Sequence, residues 1–136
     1  MNSSGYSAYA QNTAMVQSPY KLVQMLFEGI LKFVTQAKKS MQEGDIEKQV
    51  YWINRTIDIF SELMASLDFS EGNESMSSYL QGLYTYQIKL LTEANIECDT
   101  ARLDTVLRVA QGLLEAWNDE TGLGAEEEAQ ANVEEA

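Results

Sequence analysis

Side chains that could carry acid–base, nucleophilic or metal chemistry are few in this chain of 136 residues. There is no histidine and one cysteine, which excludes the Glu-x-x-His iron sites of ferritin-like bundles, a phosphorylated histidine and a zinc-binding cysteine pair. No glycine-rich phosphate loop is present, and no serine or cysteine has a plausible base. Arg55, Arg102 and Arg108 do not cluster as a site for a small dianion would require. The sequence predicts no catalytic, cofactor-binding or metal site, and Cys98 is interpreted as an incidental small residue rather than a nucleophile.

The charge and apolar content limit the classes of partner. A formal net charge of -12, from 21 acidic and 9 basic residues, disfavours attraction to nucleic acid or to an anionic membrane. No stretch approaches the roughly 18 consecutive apolar residues of a spanning helix, so no membrane insertion is expected. One cysteine, and an N-terminus with neither a basic region nor an apolar run, favour a soluble cytoplasmic protein.

Because the sequence predicts no reactive site, the most informative pattern is the spacing of the apolar residues between Asp45 and Asp68. Seven apolar residues alternate at four and three, which is typical of a packed bundle helix. At about 100° per residue, a second stripe of Trp52, Ile59 and Leu63 lies roughly 110° away. A helix with two apolar stripes is either packed on both sides or has one stripe free to receive a partner. We expect the second stripe to be the more exposed one. The seven residues, called the spine below, are Ile46, Val50, Ile53, Ile57, Phe60, Met64 and Leu67.

Three further helices are predicted around this one. Ser18-Pro19 begins a helix that runs to about residue 41, because serine caps free amides and proline suits the first helical position. Gly44-Asp45 closes it and caps the next helix. A polar turn at 69–73 leads to a helix over 74–96, and Asp99 caps the last helix, which runs to about 119. Short links make neighbouring helices antiparallel. The expected fold is all-α, an antiparallel up-down four-helix bundle over residues 18–119.

The third helix carries apolar residues over roughly 200° of its circumference, more than one packing seam needs. Three tyrosines, Tyr79, Tyr84 and Tyr86, lie at the flanks of this face. Tyrosine is favoured at recognition sites, so these residues either offer a binding surface or pack with their hydroxyls at the bundle rim.

The two ends of the chain differ from the bundle in composition. Residues 1–17 are small and polar apart from a few residues such as Tyr6 and Tyr9, and form either a frayed terminus or a mobile arm that docks through its tyrosines. Residues 120–136 are rich in Gly, Ala and Glu and are predicted to be a disordered acidic tail. The tail either improves solubility or docks specifically. The line of Lys21, Lys32 and Lys39 is a solvated face or contacts an acidic partner or this tail.

Seven short segments occur in order along the chain. They are AY at 8–9, SPYKLVQMLFEG at 18–29, GDI at 44–46, SLD at 66–68, LQGLYTY at 80–86, EAN at 93–95 and EAW at 115–117. Together these segments resemble the flagellar export chaperones of the FliS family. Phe27 and Glu28 stand where the family commonly has tyrosine and aspartate, and Asn73 replaces the second glycine of a pair.

The resemblance implies a cytosolic chaperone that binds the C-terminal segment of flagellin, prevents its polymerisation and helps deliver it to the type III export gate. The amphipathic helices of such a client would need an apolar groove. We expect the N-terminal arm, with Tyr6 and Tyr9, to be a lid on that groove. The alternative is a helical adaptor or oligomerisation module, and weak self-association is possible in either case. The residues expected to form the groove are Trp52, Ile59, Leu63, Tyr79, Tyr86 and Leu90.

Overall fold

A computed structural model describes residues 18–125, and these form the four predicted helices. Three of the four helices begin at a residue whose side chain caps them. Lys21 N donates to Ser18 Oγ (3.2 Å), Lys48 N to Asp45 Oδ1 (3.2 Å) and Ala101 N to Asp99 Oδ1 (2.9 Å), as expected of N-cap side chains. The helices are α1 (Pro19–Gln42), α2 (Ile46–Ala65), α3 (Glu74–Glu97) and α4 (Thr100–Thr121).

The helices form an antiparallel up-down bundle, which confirms the predicted fold. α1 packs on α2 and α4, and α3 packs on the same two helices; the α1–α2 seam is the most extensive and the α3–α4 seam the least. Lys38 Nζ lies 2.8 Å from Asp104 Oδ1, across the α1–α4 seam. Gly44 adopts a φ of 73° between α1 and α2, a left-handed conformation that glycine reaches without steric cost.

The expected orientation of α2 is wrong. Ile59 and Leu63 are 0% and 2% exposed, whereas Ile46 of the spine is 54% exposed and Val50 is also exposed. The cause lies on α1, where Gly29 has no side chain and a Cβ there would sit 3.0 Å from Ile59 Cδ1. This close approach of α1 turns the second stripe into the bundle. The spine is consequently split between the core and the α2–α3 edge.

Three buried glutamines were not anticipated. Gln24 Nε2 donates to Asn118 Oδ1 across the α1–α4 seam (2.9 Å), and Gln49 Nε2 donates to Asn95 Oδ1 across the α2–α3 seam (3.0 Å). Gln87 is buried as well. The amides of Gln24 and Gln49 fix the axial position of their helices, because a shift would leave these buried polar groups unpaired.

The predicted arm, residues 1–17, lies outside the described residues, as does the tail from residue 126. The first residues of the predicted tail belong to the folded body. α4 continues to Thr121, Gly122 adopts a φ of 77°, and Leu123 is buried. A Cβ on Gly124 would lie 3.2 Å from Asn118 Cβ, so the chain reverses against α4 at this point.

Candidate binding site

A cavity of about 540 Å³ opens at the end of the bundle where α1 and α3 begin and α2 and α4 end. Its walls are mostly apolar, and its size falls in the range of ligand pockets. Asp68 and Glu120 are the two acidic residues in its lining. The lining residues are Val23, Phe27, Leu63, Ser66, Leu67, Asp68, Met76, Leu80, Tyr84, Leu113, Ala116, Trp117 and Glu120.

Trp117 is held in the cavity wall by contacts with α1. Its Nε1 donates to the backbone oxygen of Tyr20 (2.8 Å), and its ring lies 5.9 Å from the Tyr20 ring and 6.3 Å from the Phe27 ring. Such tilted and edge-on pairs are favourable aromatic geometries. The wall between α1 and α4 is therefore preorganised.

A stripe on α3 leads away from the cavity along the α3–α4 seam. Tyr79, Leu83, Tyr86 and Leu90 recur at four, three and four residues, which places them on one flank of the helix. The same flank continues to Glu93, whose Oε2 accepts from Arg102 Nε on α4 at 2.9 Å. Tyr79 is 67% exposed and Tyr86 52%, whereas Leu90 is buried at the foot of the stripe.

The six residues expected to form one groove do not lie together. Tyr79, Tyr86 and Leu90 share the α3 flank, and Leu63 lines the cavity although its own side chain is almost fully buried. Ile59 is enclosed between α1 and α2 and borders neither feature. Trp52 lies on the α1–α2 face, with its ring 5.3 Å from that of Phe33. The two lid residues, Tyr6 and Tyr9, lie outside the described residues.

The sequence did not lead us to predict that α1 and α4 contribute to the walls of the cavity. Val23 and Phe27 widen the apolar face of α1 beyond a single seam, which was the available signal. Ala116 beside Trp117 offered a second signal, since a small residue next to a large aromatic near a helix end leaves space. Neither pattern predicts which helix ends lie next to one another.

Two titratable groups at the cavity have shifted pKa values. Burial raises the pKa of the Tyr84 hydroxyl to about 12, so this group stays neutral. Hydrogen bonds from the side chain and backbone of Ser70, with a further one from Asn73, hold the pKa of Asp68 below its usual value of 3.8. The cavity thus combines apolar walls with a charged carboxylate at its edge.

A second aromatic cluster lies on the α1–α2 face. The Arg55 guanidinium carbon is 5.5 Å from the centre of the Phe33 ring and 5.8 Å from that of Tyr51, within the range of cation–π attraction. Trp52 packs against both rings, at 5.3 and 4.9 Å between centroids. These contacts pin the two helices together on the side away from the α3–α4 seam.

Within residues 18–125, no group of three His, Cys, Asp or Glu side chains is arranged to hold a metal ion. In the same range, no helix has the length and apolar character needed to cross a membrane.

Comparisons with known proteins agree with the resemblance noted in the sequence. The family described as "Flagellar protein FliS" matches residues 1–121. The flagellar secretion chaperone FliS of Campylobacter jejuni is 48% identical over 118 residues, covering 87% of this chain and 91% of that protein. Its counterpart in Salmonella typhimurium is 32% identical over 119 residues, covering 84% and 87%.

A solved structure shares the fold. The crystal structure described as a flagellar chaperone from bacteria superposes with a TM-score of 0.72 at 16% identity, covering 90% of this chain and 98% of that one. The family match spans most of the chain, and the curated relatives align over nearly their full length. The chain therefore belongs to the FliS family of flagellar proteins.

Proposed function

We propose that this protein is a cytosolic flagellar secretion chaperone that binds the C-terminal helical segment of flagellin. It holds that segment unpolymerised and helps deliver it to the flagellar type III export gate. Support comes from the relatives, which are flagellar secretion chaperones. The function requires recognition of a client and no chemical reaction, in keeping with the residues available.

One observation carries the proposal: an apolar cavity, walled on one side by the start of α3, lies next to an exposed aromatic stripe on the same helix. An amphipathic client helix would lie along Tyr79 and Tyr86 and insert an apolar side chain between Met76 and Trp117. Each large side chain removed from water contributes roughly 1.5 to 3 kcal/mol. Ordering the client costs several kcal/mol in return, which keeps the complex dissociable for export.

The proposed site keeps part of the sequence-based set. Tyr79 and Tyr86 provide the accessible surface, while Leu63 and Leu90 form its buried floor. Ile59 is left out because its side chain is enclosed, and Trp52 is left out because it lies on another face.

The proposed lid is the N-terminal arm with Tyr6 and Tyr9. It joins α1 at Ser18, next to Tyr20 and Trp117 at the cavity end of the bundle. A short tether gives a docking segment a high effective concentration, so weak contacts would keep the cavity covered until a client displaced them. Removing residues 1–14 should strengthen or speed flagellin binding and increase dimerisation. Weaker binding by the shortened chain would instead mean that the arm contacts the client.

The experiment that tests the site compares two exposed residues on the same helix. Tyr79→Asp should weaken capture of full-length flagellin by about tenfold or more, the effect of losing a central aromatic contact. Ile96→Asp is the matched control, because Ile96 is 78% exposed but lies at the other end of α3. Flagellin truncated at its C-terminus should bind neither variant nor the parent protein.

The competing function, a helical oligomerisation module, predicts a different result. The protein would then be an obligate dimer in solution whose mass does not change when flagellin is added. A monomer that gains one flagellin, as measured by light scattering, favours the chaperone. Equal losses in Tyr79→Asp and Ile96→Asp would reject the proposed site.

A further inference from the structure

The first half of α3 is joined to the rest of the bundle by few polar contacts. Ser77 Oγ donates to the backbone oxygen of Asp68, and Thr85 Oγ1 approaches Met64 Sδ at 3.6 Å, both on the side of α2. Within residues 18–125, no hydrogen bond or ion pair joins residues 74–87 to α4. Packing along the α3–α4 seam is also the least extensive of the four seams.

The second half of α3 is anchored firmly. Asn95 accepts two hydrogen bonds from Gln49 Nε2 through its side chain and backbone oxygens, at 3.0 and 3.1 Å. Arg102 on α4 pairs with Glu93 at 2.9 Å, with Glu97 at 2.6 Å and with Asp99. Hydrogen bonds and ion pairs therefore anchor the second half of α3 much more than the first half.

The local sequence weakens the same first half. Asn73 forms no side-chain hydrogen bond to the first turn, because its amide donates instead to Asp68 Oδ2 and Ser70 Oγ at 3.0 and 3.3 Å. Gly82 lies in the helix interior with nothing within 4 Å of where its Cβ would be. Glycine there lowers helix stability about fivefold relative to alanine.

One of the buried polar atoms that lack a hydrogen-bond partner in residues 18–125 lies in the same segment. Gln87 is 1% exposed, and its Oε1 has no hydrogen-bond partner among the described residues. A buried carbonyl without a partner favours any state in which water reaches it. Opening of the first half of α3 would hydrate this atom.

The first half of α3 also borders the cavity. Met76, Leu80 and Tyr84 form its α3 wall, whereas the remaining walls come from the other three helices. We propose that residues 74–87 open from α4 by local unfolding, with the hinge near 88–92, and that this opening admits the apolar side chains of the client. The inference rests on the proposed function and assigns the moving part of that site.

Hydrogen exchange on the full-length free protein tests the opening directly. Amides of residues 78–87 should exchange about tenfold or more faster than those of residues 26–37 in α1, through a sub-global opening. Comparable protection in the two segments would overturn the proposal. No client is involved, so this measurement is independent of flagellin binding.

A matched pair of glycine substitutions tests the link to binding. Gly82 and Gly112 are both exposed helical glycines with open space at the Cβ position, on α3 and α4 respectively. Gly82→Ala should slow exchange in residues 78–87 and the association of flagellin by about fivefold each, because the competent open state becomes less populated. Gly112→Ala should raise global stability similarly and leave the association rate unchanged.

The outcomes separate the two proposals. If Gly82→Ala and Gly112→Ala alter association equally, or if neither alters it, the proposed moving segment is wrong even where the protein binds flagellin. If the parent protein captures no flagellin, the proposed function fails. The hydrogen-exchange result still decides whether residues 74–87 open, because that measurement involves no flagellin. Gln87→Met, which removes the unpaired carbonyl, should slow exchange in the same residues as a second check.

Discussion

A single residue on α1 decides which apolar stripe of α2 faces inward. Both stripes have helical spacing, so periodicity alone gives them equal weight. Gly29 on the neighbouring helix decides between them by allowing α1 to approach Ile59. A contact between distant positions in the chain thus overrides the regularity of the local pattern.

Leu63 should behave as a core residue. Leu63→Ala is expected to lower the free energy of unfolding by about 2 to 3 kcal/mol, near the low end of the range for buried leucines because the side chain already borders a cavity. Urea denaturation followed by circular dichroism measures this change.

The control is a spine residue of the same helix. Ile46→Ala should change the unfolding free energy by no more than about 0.5 kcal/mol, since Ile46 is largely exposed. Leu63→Asp should unfold the bundle. A Leu63→Asp protein that stays folded and fully helical but no longer binds flagellin would contradict this expectation, because Leu63 would then belong to the binding surface and not to the core.

At the scale of helices, the sequence was sufficient where the determinants are local. Ser18, Asp45 and Asp99 cap helices as predicted, because a cap is formed between a side chain and amides two or three residues away. The buried amides of Gln24 and Gln49 could not be predicted. Their partners, Asn118 and Asn95, lie on other helices, and glutamine alone indicates an exposed position.

The end of α3 carries a measurable conformational cost. Cys98 adopts the left-handed conformation, with a φ of 52°, at the C-cap of the helix. Cys98→Gly should stabilise the protein by about 0.5 to 1 kcal/mol, the left-handed penalty of a side chain less the extra entropy of glycine in the unfolded state. The midpoint of thermal unfolding reports the change.

The turn between α1 and α2 supplies the reciprocal control. Gly44 has a φ of 73° and nothing within 4 Å of its Cβ position, so Gly44→Ala should destabilise the protein by about 1 to 2 kcal/mol through backbone strain alone. If Cys98→Gly instead lowers the midpoint, the weak bond from Cys98 Sγ to Gln49 Oε1, at 3.7 Å, stabilises this end more than the backbone conformation costs.

At the scale of the whole molecule, the fold followed from the order and spacing of the helices, but the cavity did not. It is assembled from four helix ends far apart in the chain, and its volume depends on how closely Phe27, Leu80 and Trp117 approach. The tail boundary was also misplaced. The average composition around Leu123 is rich in glutamate and predicts disorder. The folded chain nevertheless buries the side chain of Leu123.

Two truncations of the tail separate the effect of its acidic segment from the effect of burying Leu123. Ending the chain after Ala125 removes only the acidic residues 126–136 and should leave stability and flagellin affinity unchanged, because that segment has almost no apolar surface to bury. Ending it after Gly122 also removes Leu123, which is 9% exposed, and should cost about 1.5 to 3 kcal/mol of stability. Both truncations remove the same charges, since residues 123–125 are uncharged. A difference in unfolding midpoint between them therefore measures the packing of Leu123, whereas an equal loss in both would mean that the acidic residues themselves contact the folded body.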